Sequence, residues 1–306
     1  MRSGRLALLV LISTVSGCAM PSNHLSTYSE FLGGPCDGAS IDLYYEEYGA
    51  GDPIVFVHGL GMSSFTWRDL IEPLTRKHRV ILVDLKGFGY SPKPDDDRYS
   101  IYDQARLICR FILDHDLKNL TLVGNSLGGG VALATTLYLS AHAPERLARL
   151  ILVDTIAYQQ EMPLFVKLLA RPMLGPLVVA TVPNVLQVRT IMQLAYFDDE
   201  AVPDEAVERY AAVLNDAAAR QALVRTAQQI IPPDLDSLTT RYPEIGYPTL
   251  ILWGEQDAIV PLEIGRRLHE AIPNARLVIL PETGHIPQEE QPEATLAEIE
   301  AFMSQE

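Results

Sequence analysis

Cysteine is scarce in this chain. Three stand in 306 residues, and no Cys/His cluster has the spacing of a metal-ligand set. Basic residues are in deficit too: 24 Lys and Arg face 39 Asp and Glu, a formal charge of −15 with a pI near 4.9. That balance argues against nucleic acid as a partner, and against binding to anionic lipid through a basic surface. No internal repeat or low-complexity tract is present. With 48% apolar residues the chain can build one large domain or two ordinary ones around an ample core.

The first residues read as a targeting segment. Arg2 and Arg5 form a basic start, and Leu6 to Val15 is an apolar run too short to span a bilayer. Small residues then lead to a cysteine in Val15-Ser16-Gly17-Cys18. That ending resembles a bacterial lipobox, which is cut before the cysteine so that the cysteine can be lipid-modified. Residues 1–17 are therefore expected to be a signal, with Cys18 the lipidation site and the mature protein exported and membrane-anchored. Several acyl chains anchor stably, each buried CH₂ adding about 0.8 kcal/mol. Ala19, where an aspartate would resemble an inner-membrane retention signal, points toward the outer membrane. An ordinary secretory signal with a coincidental cysteine is the other reading. Residues 18–37 are expected to be a tether. Export permits a disulfide between Cys36 and Cys109, and two free thiols are equally compatible.

From residue 38 the chain reads as a folded α/β unit. Short apolar runs at Ile54–Val57, Val80–Val83, Leu120–Val123 and Leu150–Val153 predict buried strands, alternating with helical segments at residues 64–76, 101–115 and beyond the third run to His142. An earlier strand is expected over residues 41–48. Such alternation implies right-handed βαβ units and a mostly parallel sheet with helices on both faces. It lapses over residues 155–247, where apolar helical patches are broken by Pro163, Pro172, Pro176 and Pro183. This insert is expected to be a helical cap after the sixth strand, dividing the core into residues 38–154 and 248–306. Its apolar face can line a pocket, pack on the core or meet a membrane surface.

The most telling stretch is Gly124-Asn125-Ser126-Leu127-Gly128, placed between a strand and a helix. A turn that tight accepts only small residues two positions either side of the serine, and it lifts the hydroxyl above the sheet. Gly129 and Gly130 permit still closer backbone packing. Further on, Trp253-Gly254-Glu255-Gln256-Asp257 and Gly284-His285 each follow a late strand, so Asp257 and His285 fall in loops at the strand ends where an open parallel sheet builds its site. The order is serine, acid, histidine.

With His58-Gly59-Leu60-Gly61 upstream, these motifs make the chain resemble the α/β-hydrolase-fold family from about Ile41 to Phe302. The resemblance implies a serine hydrolase, esterase- or lipase-like, that needs no metal or organic cofactor. Ser126 would be the nucleophile, His285 the base and Asp257 the acid orienting it, with the backbone N–H groups of Leu60 and Leu127 receiving the oxyanion. Asp154, also at a strand end, is the rival acid. His58 is expected to brace the oxyanion loop and Asp84 to anchor a turn, while Trp67 and Phe88 fit either pocket wall or core. His24, His78, His115, His142 and His269 read as surface residues.

Three functions suit the resemblance. The first is hydrolysis of a carboxylic ester with a lipophilic or small acyl group. The second is carbon–carbon bond hydrolysis of the ring-cleavage-product type, whose GNS-x-GG elbow this chain shares through Gly129. The third is a non-catalytic surface binding protein on a retired scaffold. Epoxide hydrolases and haloalkane dehalogenases resemble the chain as well but use aspartate at the elbow.

Overall fold

The inner strands of this chain are apolar on both faces. In the computed structural model, which describes residues 26–34, 36 and 41–305, this pattern divides the core into two layers. Val55 and Val57 point to one layer while Ile54 and Phe56 point to the other; Leu120 and Leu122 likewise oppose Val123. A strand buried on both sides requires cover on both sides, and helices supply it.

The sheet has seven strands among the described residues: β1 (Tyr45–Gly49), β2 (Pro53–Val57), β3 (Arg79–Val83), β4 (Leu120–Asn125), β5 (Leu147–Val153), β6 (Thr249–Gly254) and β7 (Ala275–Leu280). Their order is β1-β3-β2-β4-β5-β6-β7, with β1 antiparallel to β3 and every other pair parallel. Helices α1 (Tyr28–Gly33), α2 (Arg68–Leu74), α3 (Ile101–Asp114) and α4 (Leu127–His142) precede β5. Between β5 and β6 lie α5 (Leu164–Leu169), α6 (Leu174–Thr181), α7 (Asn184–Ala195), α8 (Asp204–Val213), α9 (Ala217–Gln229) and α10 (Leu235–Thr239). Helices α11 (Leu262–Ala271), α12 (Pro287–Glu290) and α13 (Pro292–Met303) complete the chain.

Three expectations need correction. The helical insert follows the fifth described strand rather than the sixth. Residues 41–44 do not join the sheet: Tyr44 is held by its carbonyl to the Asp84 amide and by its own amide to Ser91 Oγ, and the ladder begins at Tyr45. The span expected to be a tether, 18–37, contains α1. A capping box between Thr27 and Glu30 starts that helix, and its apolar side chains dock it. Phe31 stacks on Tyr102 of α3 at 5.7 Å, Tyr28 meets the same ring at 5.9 Å, and the Tyr28 amide donates to Asp234. Finally, Cys36 and Cys109 are both buried and form no disulfide, and burial beside Cys36 pushes the Cys109 thiol up. Residues 1–17 and Cys18 lie outside the described residues.

Candidate active site

The site begins with the turn after β4. Ser126 sits at φ 55°, ψ −117°, a region that side-chain-bearing residues rarely occupy. Glycines make the turn possible. A Cβ on Gly124 would stand 2.3 Å from the Gly128 carbonyl oxygen, and one on Gly128 would stand 2.2 Å from that of Val57. The Ser126 amide donates to Val153 O at 3.0 Å, and its carbonyl accepts from Gly129, Gly130 and Ile156. The strained serine is thus held by the neighbouring strand, the following helix and the start of the insert.

Asp257 and His285 arrive from the loops after β6 and β7, two adjacent parallel strands. One carboxylate oxygen of Asp257 accepts the Ile259 and Val260 amides at 2.7 and 2.9 Å; the other lies 2.7 Å from His285 Nδ1. An acceptor there makes Nδ1 the protonated nitrogen and leaves Nε2 as the base-competent one. His285 and Ser126 line the same cavity. Leu60 lines it as well. Leu127 opens α4, so its N–H is one of the first-turn groups that have no partner inside the helix.

The other residues singled out in the sequence fall into place around this centre. His58 is fully buried; Nδ1 bonds Gly59 O at 2.8 Å and Nε2 accepts the Leu85 amide at 3.0 Å. Burial keeps its pKa below the ordinary value, so the ring is a neutral brace for the Gly59-Leu60 turn. Asp84 accepts the Ser64 and Tyr90 amides at 2.7 and 2.8 Å. Trp67 packs on Phe56 at 4.9 Å and Phe88 lies edge-on to His58 at 5.8 Å; both are core and neither lines the cavity.

Asp154 has a different environment. It is fully buried at φ 42°, and one oxygen accepts the Gly254 amide at 2.9 Å while Oδ2 has no partner. Burial first, and the Asp257 charge second, push its carboxyl well above the usual range. Asp154, Asp257 and His285 offer ligand atoms within 4.8 Å of one another, the one such group among the described residues. Asp257 Oδ2 and His285 Nδ1 are already engaged with each other at 2.7 Å, so two of the three donor atoms are spent on that pair.

Several supporting residues had no role assigned to them in the sequence. Asn125 Nδ2 reaches both Val153 O and His285 O at 3.2 Å, joining the elbow to the histidine loop. Glu290 accepts the amides of Phe197, Gly284 and Ile286 at 2.8, 2.9 and 3.2 Å, although burial raises its pKa. The His285 amide itself donates to Ala195 O at 2.6 Å. The last turn of α7 therefore grips the histidine loop. Tyr210, on α8, lines the cavity and gives its hydroxyl to Glu289 at 2.6 Å; Glu289 also receives Thr66 at 2.7 Å and Arg68 at 3.0 Å.

The cavity encloses about 950 Å³ including its open mouth. Its floor is Gly59, Ser126 and His285, and its walls are aliphatic, aromatic and methionine side chains from α5, α7, α8 and α9. Gln160 and Tyr210 are the polar exceptions in those walls. No Lys, Arg, Asp or Glu lines it.

Residues 52–292 match the profile of the alpha/beta hydrolase fold family, and the chain belongs to it. It is 28% identical over 272 residues to a 2-hydroxy-6-oxo-2,4-heptadienoate hydrolase of Pseudomonas putida, covering 87% of this chain and 94% of the relative. Among solved structures it is similar to a meta-cleavage product hydrolase from Pseudomonas fluorescens IP01, with 25% identity, a TM-score of 0.72 and coverage of 86% and 94%. It is also similar to a thermophilic esterase from Thermogutta terrifontis, with 28% identity, a TM-score of 0.71 and coverage of 87% and 95%. The fold and the hydrolase class are thereby shared; the bond that is cut differs among these relatives.

Proposed function

We propose that this hydrolase cleaves carboxylic esters with apolar acyl groups through a covalent acyl-enzyme. The observation that carries this reading is the wall of the cavity, which is apolar and bears no charged side chain. A serine hydroxyl is a weak nucleophile until a base takes its proton during attack. In this reading His285 Nε2 takes the Ser126 proton, and Asp257 holds the ring in the Nδ1–H form and stabilises the imidazolium. The Leu60 and Leu127 amides receive the negative oxygen of the tetrahedral intermediate; losing one such donor costs about 2.7–4 kcal/mol in comparable enzymes. The alcohol leaves with a proton from His285. Water activated by the same ring then releases the acid.

The relatives that act on dienoates support a second reading, carbon–carbon bond hydrolysis. Such a substrate brings a carboxylate into the cavity, and burying an unpaired charge is costly. The absence of Lys and Arg from the lining argues for a neutral substrate. Hydrolysis of p-nitrophenyl esters from acetyl to long-chain acyl, beside a 2-hydroxy-6-oxo-dienoate and with Ser126→Ala as control, separates the two. Turnover rising with acyl length and absent in Ser126→Ala supports the ester reading. Turnover of the dienoate alone would replace it. Failure of Ser126 to react with a phosphonate, together with no turnover, would leave a binding protein.

For location, the proposal is an exported lipoprotein acylated at Cys18. Metabolic labelling with a radioactive fatty acid, lost in Cys18→Ser, is the expected result.

A further inference from the structure

The whole-chain charge of −15 conceals one segment of the opposite sign. Residues 162–197 contain Lys167, Arg171 and Arg189 and no Asp or Glu at all. Over the same residues the surface turns apolar. Every exposed large aliphatic side chain among the described residues lies there, including Leu164, Met173, Leu174, Leu177 and Leu186. Met173 is 85% exposed and Leu164 71%. Contiguous exposed apolar surface in an otherwise well-buried protein marks a contact face.

The faces of these helices are divided. On α5 and α7 the inward side chains, among them Phe165, Val166 and Met192, line the cavity. The exposed ones point away from it. No single helix in the described residues is long and apolar enough to cross a membrane, and α6 and α7 are bent by 111° where they meet. Short helices with an apolar outer face and a few cations are built to lie in a lipid interface rather than to span it.

We propose that the outer face of α5, α6 and α7 docks on the surface of an anionic lipid bilayer. The aliphatic side chains enter the boundary between headgroups and acyl chains, and Lys167, Arg171 and Arg189 meet the headgroups. Arg171 has no ion pair among the described residues; Lys167 and Arg189 pair with the exposed acids Glu161 and Asp204, from which headgroup phosphates can draw them. Charge decides against a second copy of the chain. A two-fold contact through this face would set the three cations against themselves, whereas anionic lipid complements them. Overall acidity argues against anionic lipid for the average surface, and residues 162–197, with three cations and no acid, depart from that average. The docked face is also one layer from the chemistry, since the carbonyl of Ala195 at the end of α7 holds the His285 amide. The proposal does not depend on which bond the site cuts.

The test uses the full chain carrying Cys18→Ser, so that no acyl anchor contributes, and Met173→Cys labelled with an environment-sensitive fluorophore. Cys36 and Cys109 are buried and stay unlabelled. With vesicles of phosphatidylglycerol and phosphatidylcholine, the label is expected to shift to the blue and to become protected from an aqueous quencher. Binding is expected to be roughly tenfold tighter than to phosphatidylcholine alone. Leu174→Asp/Leu177→Asp should weaken binding by tenfold or more with an unchanged thermal melt, because both side chains are exposed and outside the cavity. A label that stays in water, or a double variant that binds as tightly as its parent, overturns the proposal. A blue shift without vesicles that grows with protein concentration also overturns it, in favour of a second copy.

Discussion

Replacing Asp257 by asparagine exchanges one acceptor for a donor and leaves the shape of the site unchanged. The Ile259 and Val260 amides go on donating to the side-chain oxygen, at 2.7 and 2.9 Å in the parent. They fix the sense of the new amide group, whose NH₂ then takes the place of Oδ2, 2.7 Å from His285 Nδ1. Two donors cannot share that contact. The imidazole responds by losing the Nδ1 proton and carrying one on Nε2, the nitrogen needed as base. In a triad of this type the wrong tautomer lowers kcat about 10⁴-fold, or about 5.4 kcal/mol at 1.36 kcal/mol per decade. The assay is kcat/KM on the best p-nitrophenyl ester, read beside the rate of phosphonate labelling at Ser126. Both should fall by that order while the far-UV circular dichroism is unchanged. Asp154 provides the counter-test, because its carboxyl lies within the same 4.8 Å group. Burial favours its uncharged form, so Asp154→Asn should be tolerated with a loss of less than about tenfold. If Asp257→Asn kept activity within tenfold and Asp154→Asn lost 10⁴, the acid would be Asp154 and the reasoning would be refuted.

The remaining predictions concern stability and specificity. The Asp154 carboxyl is raised in the folded chain, so the folded state holds a proton that the unfolded state releases. Its contribution to stability is full below the ordinary carboxylate value and is lost as pH rises toward the raised folded value. Asp154→Asn should therefore gain stability over the parent as pH climbs from about 4 to 8, measured by urea unfolding at each pH; a constant difference would count against a protonated Asp154. Tyr210→Phe removes a buried hydroxyl from the Glu289 carboxylate at 2.6 Å, and a bond to a charged acceptor should cost about 1.5–3 kcal/mol in the same measurement. Met192→Trp narrows the cavity beside α7. It should lower kcat/KM for long-chain esters by about tenfold while sparing acetyl esters, each missing methylene contact being worth about 0.8 kcal/mol. Equal loss for both would place the acyl chain elsewhere.

The strand cores were legible because their signal is local. A run such as Ile54–Val57 is apolar at every position, and only a strand covered on both faces buries it. The elbow was legible for the same reason: its glycines are required by contacts only a few ångströms away. The start of the fold was less so. Residues 26–34 look polar, and their two aromatics, Tyr28 and Phe31, gain meaning only when Tyr102, 71 residues beyond Phe31, comes beside them. Glu290 was likewise hidden in a polar stretch, since a carboxylate that will accept three amides from two separate loops reads like any surface acid.

The sequence by itself determined the parallel sheet, the family and the order of serine, acid and histidine along the chain, because short-range patterning and spacing encode these. Tertiary structure alone decided which carboxylate faces the imidazole. Asp154 and Asp257 follow neighbouring strands, and what separates them is the direction of one side chain and the water excluded from the other. It also decided the character of the cavity and the face turned to the outside. Both depend on which side of α5 and α7 meets the core, and a helix whose apolar residues fall on more than one face does not declare that until its neighbours are in place.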